Sequence, residues 1–207
     1  MENRVLDDLV AQLAEKRSPK RRSAAKKLRK LKEVSAGAAI LNALEIEVMD
    51  ARTWETQYQM IMAIGECGYK QALPLLSNLA TKSFEATMVY VAIGDAIVRL
   101  SIEYENDTRI IFELLETDNE MLANGAFRAM AMLKMIPSEG DINKIIDYVS
   151  KKKLDEGIHF WVLAAAPGWR GKKLEEYLSY CINSQRDDIV KAAYLAREHK
   201  YKKWNPL

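Results

Sequence analysis

The residues of this chain best suited to nucleophilic or metal chemistry are two histidines and two cysteines. Cys67 and Cys181 lie far apart and outside any CxxC pair, so they are predicted to be buried thiols in a reducing compartment. His159 precedes Phe160 in an apolar stretch, which favours a partly buried, hydrogen-bonded histidine over a metal ligand. His199 lies in a lysine-rich segment and is expected to be solvated.

Motifs that would support catalysis are missing from the sequence. It has no GxSxG, Walker A or HExxH pattern, and the glycines at 168 and 171 are too closely spaced for a phosphate loop. Asp95 lies among apolar residues with Arg99 one helical turn later, so we expect a structural ion pair; a functional carboxylate is the alternative. The sequence therefore predicts a protein that is not an enzyme and has no cofactor or metal.

Charge is segregated along the chain. The 207 residues have a net charge of +2, but residues 1–35 have a net charge of +6, residues 36–125 of −9 and residues 126–207 of +5. A groove that follows a nucleic-acid backbone needs cations along its length, because each contacted phosphate is neutralised by a basic side chain. The acidic middle therefore disfavours a nucleic-acid partner.

The densest charge cluster is a run of ten basic residues between positions 16 and 32. On a helical wheel the cations surround an apolar face of Ala24, Ala25, Leu28 and Leu31. One interpretation is a terminal helix kept soluble by charge. The other is a docking site for an acidic protein surface or a phosphate backbone. In that case the candidate binding residues are Arg21, Arg22, Lys26 and Arg29.

A second candidate partner site surrounds Trp169, which follows a Pro-Gly pair and precedes Arg170 and Lys173. An exposed tryptophan beside cations is typical of interface hot spots. The alternative is a ring folded back over the preceding helix. Trp161 is expected in the core, and Trp204 is expected to cap the last apolar helix.

The elements that must position these residues are helices. Apolar residues recur with a period near 3.6 along the chain, and no run alternates with period 2, which predicts an all-α fold. Ser18 with Pro19 predicts a helix start, with Ser18 as the N-cap, and Gly68 predicts a helix end.

The helices also repeat. When the first helix of each pair is aligned on a shared apolar anchor, the anchors recur every 29 to 36 residues. These anchors are Leu28, Ile64, Ile97, Leu133, Ala166 and Leu195. The first helices are rich in Ala and Met, and their small residues are expected to let them approach one another closely. The second helices contain Leu or Ile doublets, such as those at 75–76 and 145–146.

Four segments resemble the HEAT-repeat family of α-solenoids: KRRSAAKKLRKL, AGAAILNALE, QMIMAIGECGYKQALPLLSNLA and DDIVKAAYLAREHKY. The resemblance extends over residues 17–200 and implies an α-solenoid of about five to six helix pairs. The family's regular Asp and Arg positions are not kept, and Ala-Pro-Gly at 166–168 interrupts the fifth unit, so uneven curvature is expected.

What such a fold implies is a non-catalytic scaffold that binds a protein on a concave or charged face. The residues expected to line the concave face are Asn42, Glu45, Asn78, Glu113, Lys144, Asp147 and Glu176. The alternative is nucleic-acid binding or DNA repair, because one HEAT-like family consists of alkylpurine DNA glycosylases. The candidate site residues for that function would be Trp161, Trp169 and Asp95. A third hypothesis is an accessory role in bilin attachment, since phycobilin lyases contain short HEAT-like units.

Length and composition predict one domain over residues 1–207, in which basic N-terminal helices occupy 1–35, central repeats 36–157, and C-terminal repeats with a cap 158–207. The most apolar stretch, residues 158–169, is too short to span a membrane, and polar residues at 7, 8 and 12 interrupt any secretory leader. We therefore expect a cytoplasmic protein without membrane association.

Overall fold

The computed structural model describes residues 2–203, which form two compact units that meet in sequence at residues 101 and 102. The first unit contains six α-helices among these residues. They are α1 (Glu2–Gln12), α2 (Ser18–Leu31), α3 (Gly37–Glu47), α4 (Trp54–Cys67), α5 (Leu73–Ala80) and α6 (Met88–Ser101). The second unit also contains six: α7 (Arg109–Leu115), α8 (Glu120–Leu133), α9 (Glu139–Val149), α10 (Gly157–Ala165), α11 (Lys172–Cys181) and α12 (Asp187–Arg197).

Short 3₁₀ turns connect some of these helices, and the described residues form no strand. The prediction of an all-α protein is therefore confirmed. No described helix is both long and apolar enough to cross a membrane.

Helix ends follow from local chemistry. Gly68 adopts a left-handed φ of 76° after α4 and donates its N–H to the carbonyls of Ile64 and Gly65, which confirms the predicted helix end. The predicted N-cap of α2 is wrong: the cap is Arg17, and Ser18 is already helical. The Ser18 hydroxyl instead donates to Glu47 at 3.1 Å, because a tertiary partner competes for it.

In the first unit, α2, α4 and α6 pack side by side, while α1, α3 and α5 each pack on the even-numbered helix that follows. The central helix, α4, is buried almost completely, with Met60 through Ile64 inaccessible to solvent. Small residues set the spacing: a Cβ added to Gly65 would lie 2.8 Å from the Cα of Ala96 on α6. The expected close approach of these helices is confirmed.

In the second unit, α8, α10 and α12 pack side by side, with α7 on α8 and α11 on α12. Phe127, Met130 and Val162 form part of its buried core. The anchor Leu133 is the last residue of α8 and 41% exposed, whereas Met130, one turn earlier, is fully buried. In each unit three even-numbered helices thus pack side by side, but in the second unit α9 packs on α11. The solenoid itself stays a prediction.

Candidate functional site

The exposed cations of α2 form one candidate surface. Lys26, Lys27 and Lys30, called here the lysine face, are all exposed and form no ion pair with any residue that the structure describes. Spacings of three and four residues place Lys30 beside both of the others on the helix surface. Since α2 contains no acidic residue, nothing on its own helix neutralises them.

The arginines of α2, unlike these lysines, form ion pairs with carboxylates of the same chain. The Arg21 guanidinium donates to Glu47 from Nε at 2.5 Å and from Nη2 at 2.9 Å, and from Nη1 to the carbonyls of Glu15 and Lys16. The hydrogen bonds that Arg21 donates to Glu47 raise the pKa of Arg21. Arg21 thereby ties the turn between α1 and α2 to α3, so it is a structural residue within this chain.

Arg29 is also structural. It is only 4% exposed, and its Nε lies 2.8 Å from Glu66 while Nη1 donates to Gln59. Arg22 is paired with Glu55. Assigning Arg21 and Arg29 to partner binding is therefore wrong, because their charges are already satisfied inside the first unit. Only Lys26 of the four predicted residues presents an uncompensated charge.

An apolar groove adjoins the lysine face, between α1 and α2. Its lining comprises Val5, Asp8, Leu9, Gln12, Lys27, Lys30 and Leu31. Val5 is 53% exposed and Leu31 is 43% exposed, while Leu9 is buried and forms the floor. Of the four residues on the apolar face of α2, Leu31 is exposed and lines the groove, whereas Ala24, Ala25 and Leu28 are buried. Sequence periodicity could not reveal the groove, because it depends on how α1 lies against α2.

The second predicted partner site, around Trp169, is not an exposed aromatic surface in the structure. Trp169 is fully buried, and its Nε1–H donates to the Met135 carbonyl at 2.8 Å. The hypothesis of an exposed ring is therefore wrong, and the folded-back alternative holds. The 3₁₀ turn at Ala166–Gly168 delivers the ring to this position, where its one polar atom finds an acceptor.

The neighbouring cations are engaged as well. Arg170 donates from Nη1 to the Trp169 carbonyl at 2.7 Å and lies 2.9 Å from Nδ1 of His199. His199, although exposed as expected, is therefore not simply solvated. Lys173 pairs with Asp147 across α11 and α9. Trp204 lies outside the described residues.

The residues expected on the concave face are exposed on odd-numbered helices: Asn42, Glu45, Asn78, Glu113, Lys144, Asp147 and Glu176. Several already have partners within the chain. Lys144 lies 3.2 Å from Asp141 and above the Phe112 ring, and Asp147 is occupied by Lys173. Exposure agrees with the expectation, while a common concave face stays a prediction.

The second unit contains a buried polar cluster that the sequence analysis did not predict. Nδ1 of His159 and the hydroxyl of Tyr177 are hydrogen bonded at 2.8 Å, and the buried Cys181 follows Tyr177 by one helical turn on α11. Burial lowers the pKa of His159 and raises that of the Cys181 thiol to about 11. The cluster is therefore uncharged at neutral pH, and its thiol is protonated rather than nucleophilic. The i, i+4 spacing of Tyr177 and Cys181 was the only available signal.

The remaining chemistry-bearing residues have structural roles. Asp95 is fully buried and lies 2.6 Å from Nε of Arg99, which confirms the predicted ion pair. Cys67 and Cys181 are both buried, which confirms the predicted burial, while the reducing compartment stays a prediction. Of the residues proposed for a DNA-repair site, Trp169 and Asp95 are inaccessible to solvent. Trp161, expected in the core, is only half-buried, and the Arg128 guanidinium lies 5.7 Å from the centre of its ring. Among the described residues, no three or more His, Cys, Asp or Glu side chains gather in a group able to hold a metal.

Comparison with known proteins gives no relative. No protein-family model matches the chain, and neither a curated protein nor a solved structure matches it.

Proposed function

We propose that the chain is a non-catalytic protein-interaction scaffold that binds an acidic partner surface through the lysine face. The observation that supports this is the contrast among the cations of α2. Arg21, Arg22 and Arg29 each have a carboxylate within the first unit. Lys26, Lys27 and Lys30 have none in the described part of the chain.

The lysine face costs stability while the protein is alone. Like charges three or four residues apart destabilise a helix by about 0.2–0.5 kcal/mol per pair. An acidic partner would remove this repulsion. It would also associate faster, since complementary charge acts mainly on the encounter rate. A helix that only needed solubility could equally well contain both signs of charge.

The test is capture of interacting proteins from source cells by two charge-reversed forms. One has Lys26→Glu, Lys27→Glu and Lys30→Glu. The matched control has Lys151→Glu, Lys153→Glu and Lys191→Glu, three exposed lysines of the second unit with no ion pair in the described residues. Both triple variants lower the net charge equally. We expect the first to lose acidic partners that the wild type and the control retain.

Equal capture by all three forms would contradict the proposal and leave the lysine face as a solvated surface. The same preparation should be tested against duplex DNA at roughly 150 mM salt, where binding by charge alone is weakened. Tight DNA binding under these conditions, lost only in the lysine-face variant, would favour the nucleic-acid alternative.

A further inference from the structure

The groove between α1 and α2 has two exposed walls and a closed floor. Val5, Leu9 and Gln12 follow one stripe of α1, and Leu31 on α2 lies across from them. Val5 is 53% exposed and Leu31 is 43% exposed, so each offers aliphatic surface that the chain itself does not cover. Leu9 is only 5% exposed, so a ligand would rest on packed apolar atoms.

The two rims of the groove have different charge. On the α2 side, Lys27 and Lys30 line the groove and belong to the lysine face. On the α1 side the charged lining residue is Asp8. An occupant with an apolar ridge and carboxylates along one flank would match the α2 rim. Turning that flank toward Asp8 would bring like charges together, so the charge pattern also sets orientation.

The shape of the groove favours a helical occupant. From Val5 to Gln12 the α1 stripe extends about 10 Å, the length of two helical turns, and apolar residues at i and i+3 or i+4 would reach both walls. A segment that binds by strand addition would need an exposed strand edge, and the described residues form no strand.

We propose that this groove seats an acidic amphipathic helix of a partner protein, with its apolar ridge against Val5 and Leu31 and its carboxylates against Lys27 and Lys30. The inference rests on the proposed function, since it specifies the partner of the lysine face. It adds an apolar contribution to the binding free energy, which recognition by charge alone would lack. The two contributions can therefore be separated by experiment.

The probe is a fluorescein-labelled peptide of about 14 residues, long enough to cover the groove as a helix. It contains a leucine stripe at helical spacing, glutamates on one flank and alanines elsewhere. A scrambled peptide of identical composition has no stripe. Fluorescence anisotropy at roughly 150 mM salt should show that the wild-type chain binds the striped peptide at least about tenfold more tightly than the scrambled one.

Two variants of the chain test the two contributions. Val5→Ser with Leu31→Ser should weaken binding of the striped peptide by about tenfold, and so should Lys27→Glu with Lys30→Glu. Leu133→Ser is the matched control, because Leu133 is 41% exposed and, like Leu31, ends a helix before a left-handed lysine. Its affinity should equal that of the wild type. Circular dichroism checks helicity, and the scrambled peptide gives a test that needs no change to the protein.

The outcomes separate the two claims. Suppose that reversing the lysines abolishes peptide binding, that both peptides bind equally, and that Val5→Ser with Leu31→Ser has no effect. This result would overturn the groove as a binding site but would retain the recognition of acidic partners by the lysine face. No effect of lysine reversal overturns both. A wild-type dimer in sedimentation that Leu31→Ser dissociates would assign the groove to a second copy of this chain and overturn the inference. Displacement of the peptide by duplex DNA at that salt concentration would overturn it as well.

Discussion

Neighbouring cations of α2 differ in what they stabilise, and single substitutions should show it. Arg29→Ala removes the guanidinium that lies 2.8 Å from Glu66, and strands a mostly buried carboxylate. We expect the free energy of unfolding to fall by about 3 kcal/mol. Lys26→Ala, on the exposed side of the same helix, should change it by no more than about 0.5 kcal/mol. Urea unfolding followed by circular dichroism measures both, and similar values would contradict the structural role of Arg29.

The buried His159 should make stability depend on pH. Burial lowers its pKa from the ordinary value, so at mildly acidic pH the unfolded chain binds a proton that the folded chain does not bind. Because the pKa of His159 is lower in the folded chain than in the unfolded chain, the contribution of the neutral ring to the free energy of unfolding is fully present above about pH 6.5. It is lost as pH falls between the two pKa values, by up to about 1.4 kcal/mol per pH unit.

Urea unfolding at about pH 7.5 and pH 5.5 tests this dependence on either side of the ordinary histidine pKa. His159→Gln retains a partner for the Tyr177 hydroxyl without a titrating ring, so the decline should become shallower. An equal decline in the wild type and His159→Gln would show that other groups cause it.

Residue partners were predictable only where they are close in sequence. Asp95 and Arg99 share a helix, so their spacing was enough to predict the ion pair. Arg21 and Glu47 lie on different helices, and no periodicity in the sequence relates them. The buried Trp169 was left open for the same reason, because its acceptor, the Met135 carbonyl, lies in another segment.

At the scale of the helices, close packing should depend on glycine at one position and not at another. Gly65→Ala places a Cβ 2.8 Å from the Cα of Ala96, and this backbone atom cannot move without shifting α6. We expect destabilisation by about 1–3 kcal/mol. Gly140→Ala in α9 meets nothing closer than 3.8 Å, so helix propensity should stabilise it by up to about 1 kcal/mol. Thermal unfolding compares the two, and the same sign for both would contradict this packing.

Helices were more predictable than their ends. The 3.6-residue period depends on which side faces the core, and that pattern is clear in helices with one buried face, such as α9 and α11. Ends depend on single residues with competing partners, as Ser18 shows by bonding to Glu47 instead of capping α2. Exposed apolar residues at helix ends, such as Leu31 and Leu133, continue the periodic pattern after burial has stopped. The groove beside Leu31 was hidden for that reason.

At the scale of the whole chain, each compact unit closes its own core. In the second unit Phe127, Met130 and Val162 are fully buried, and the unit extends from Ile102 to Leu207. A unit of this size with a closed core can fold alone. The expectation of one domain over residues 1–207 therefore becomes an experimental question about cooperativity.

We expect a fragment of residues 102–207 to be helical by circular dichroism and to unfold in one cooperative urea transition. A shorter fragment, residues 117–207, is the control, because it lacks α7 and therefore the buried side chains of Ile111, Leu114 and Leu115. Each such side chain stabilises the core by roughly 1.5–3 kcal/mol, so the shorter fragment should lose most of its cooperativity. If residues 102–207 show no transition while the full chain unfolds in one step, the units do not fold separately and a single domain is the correct description.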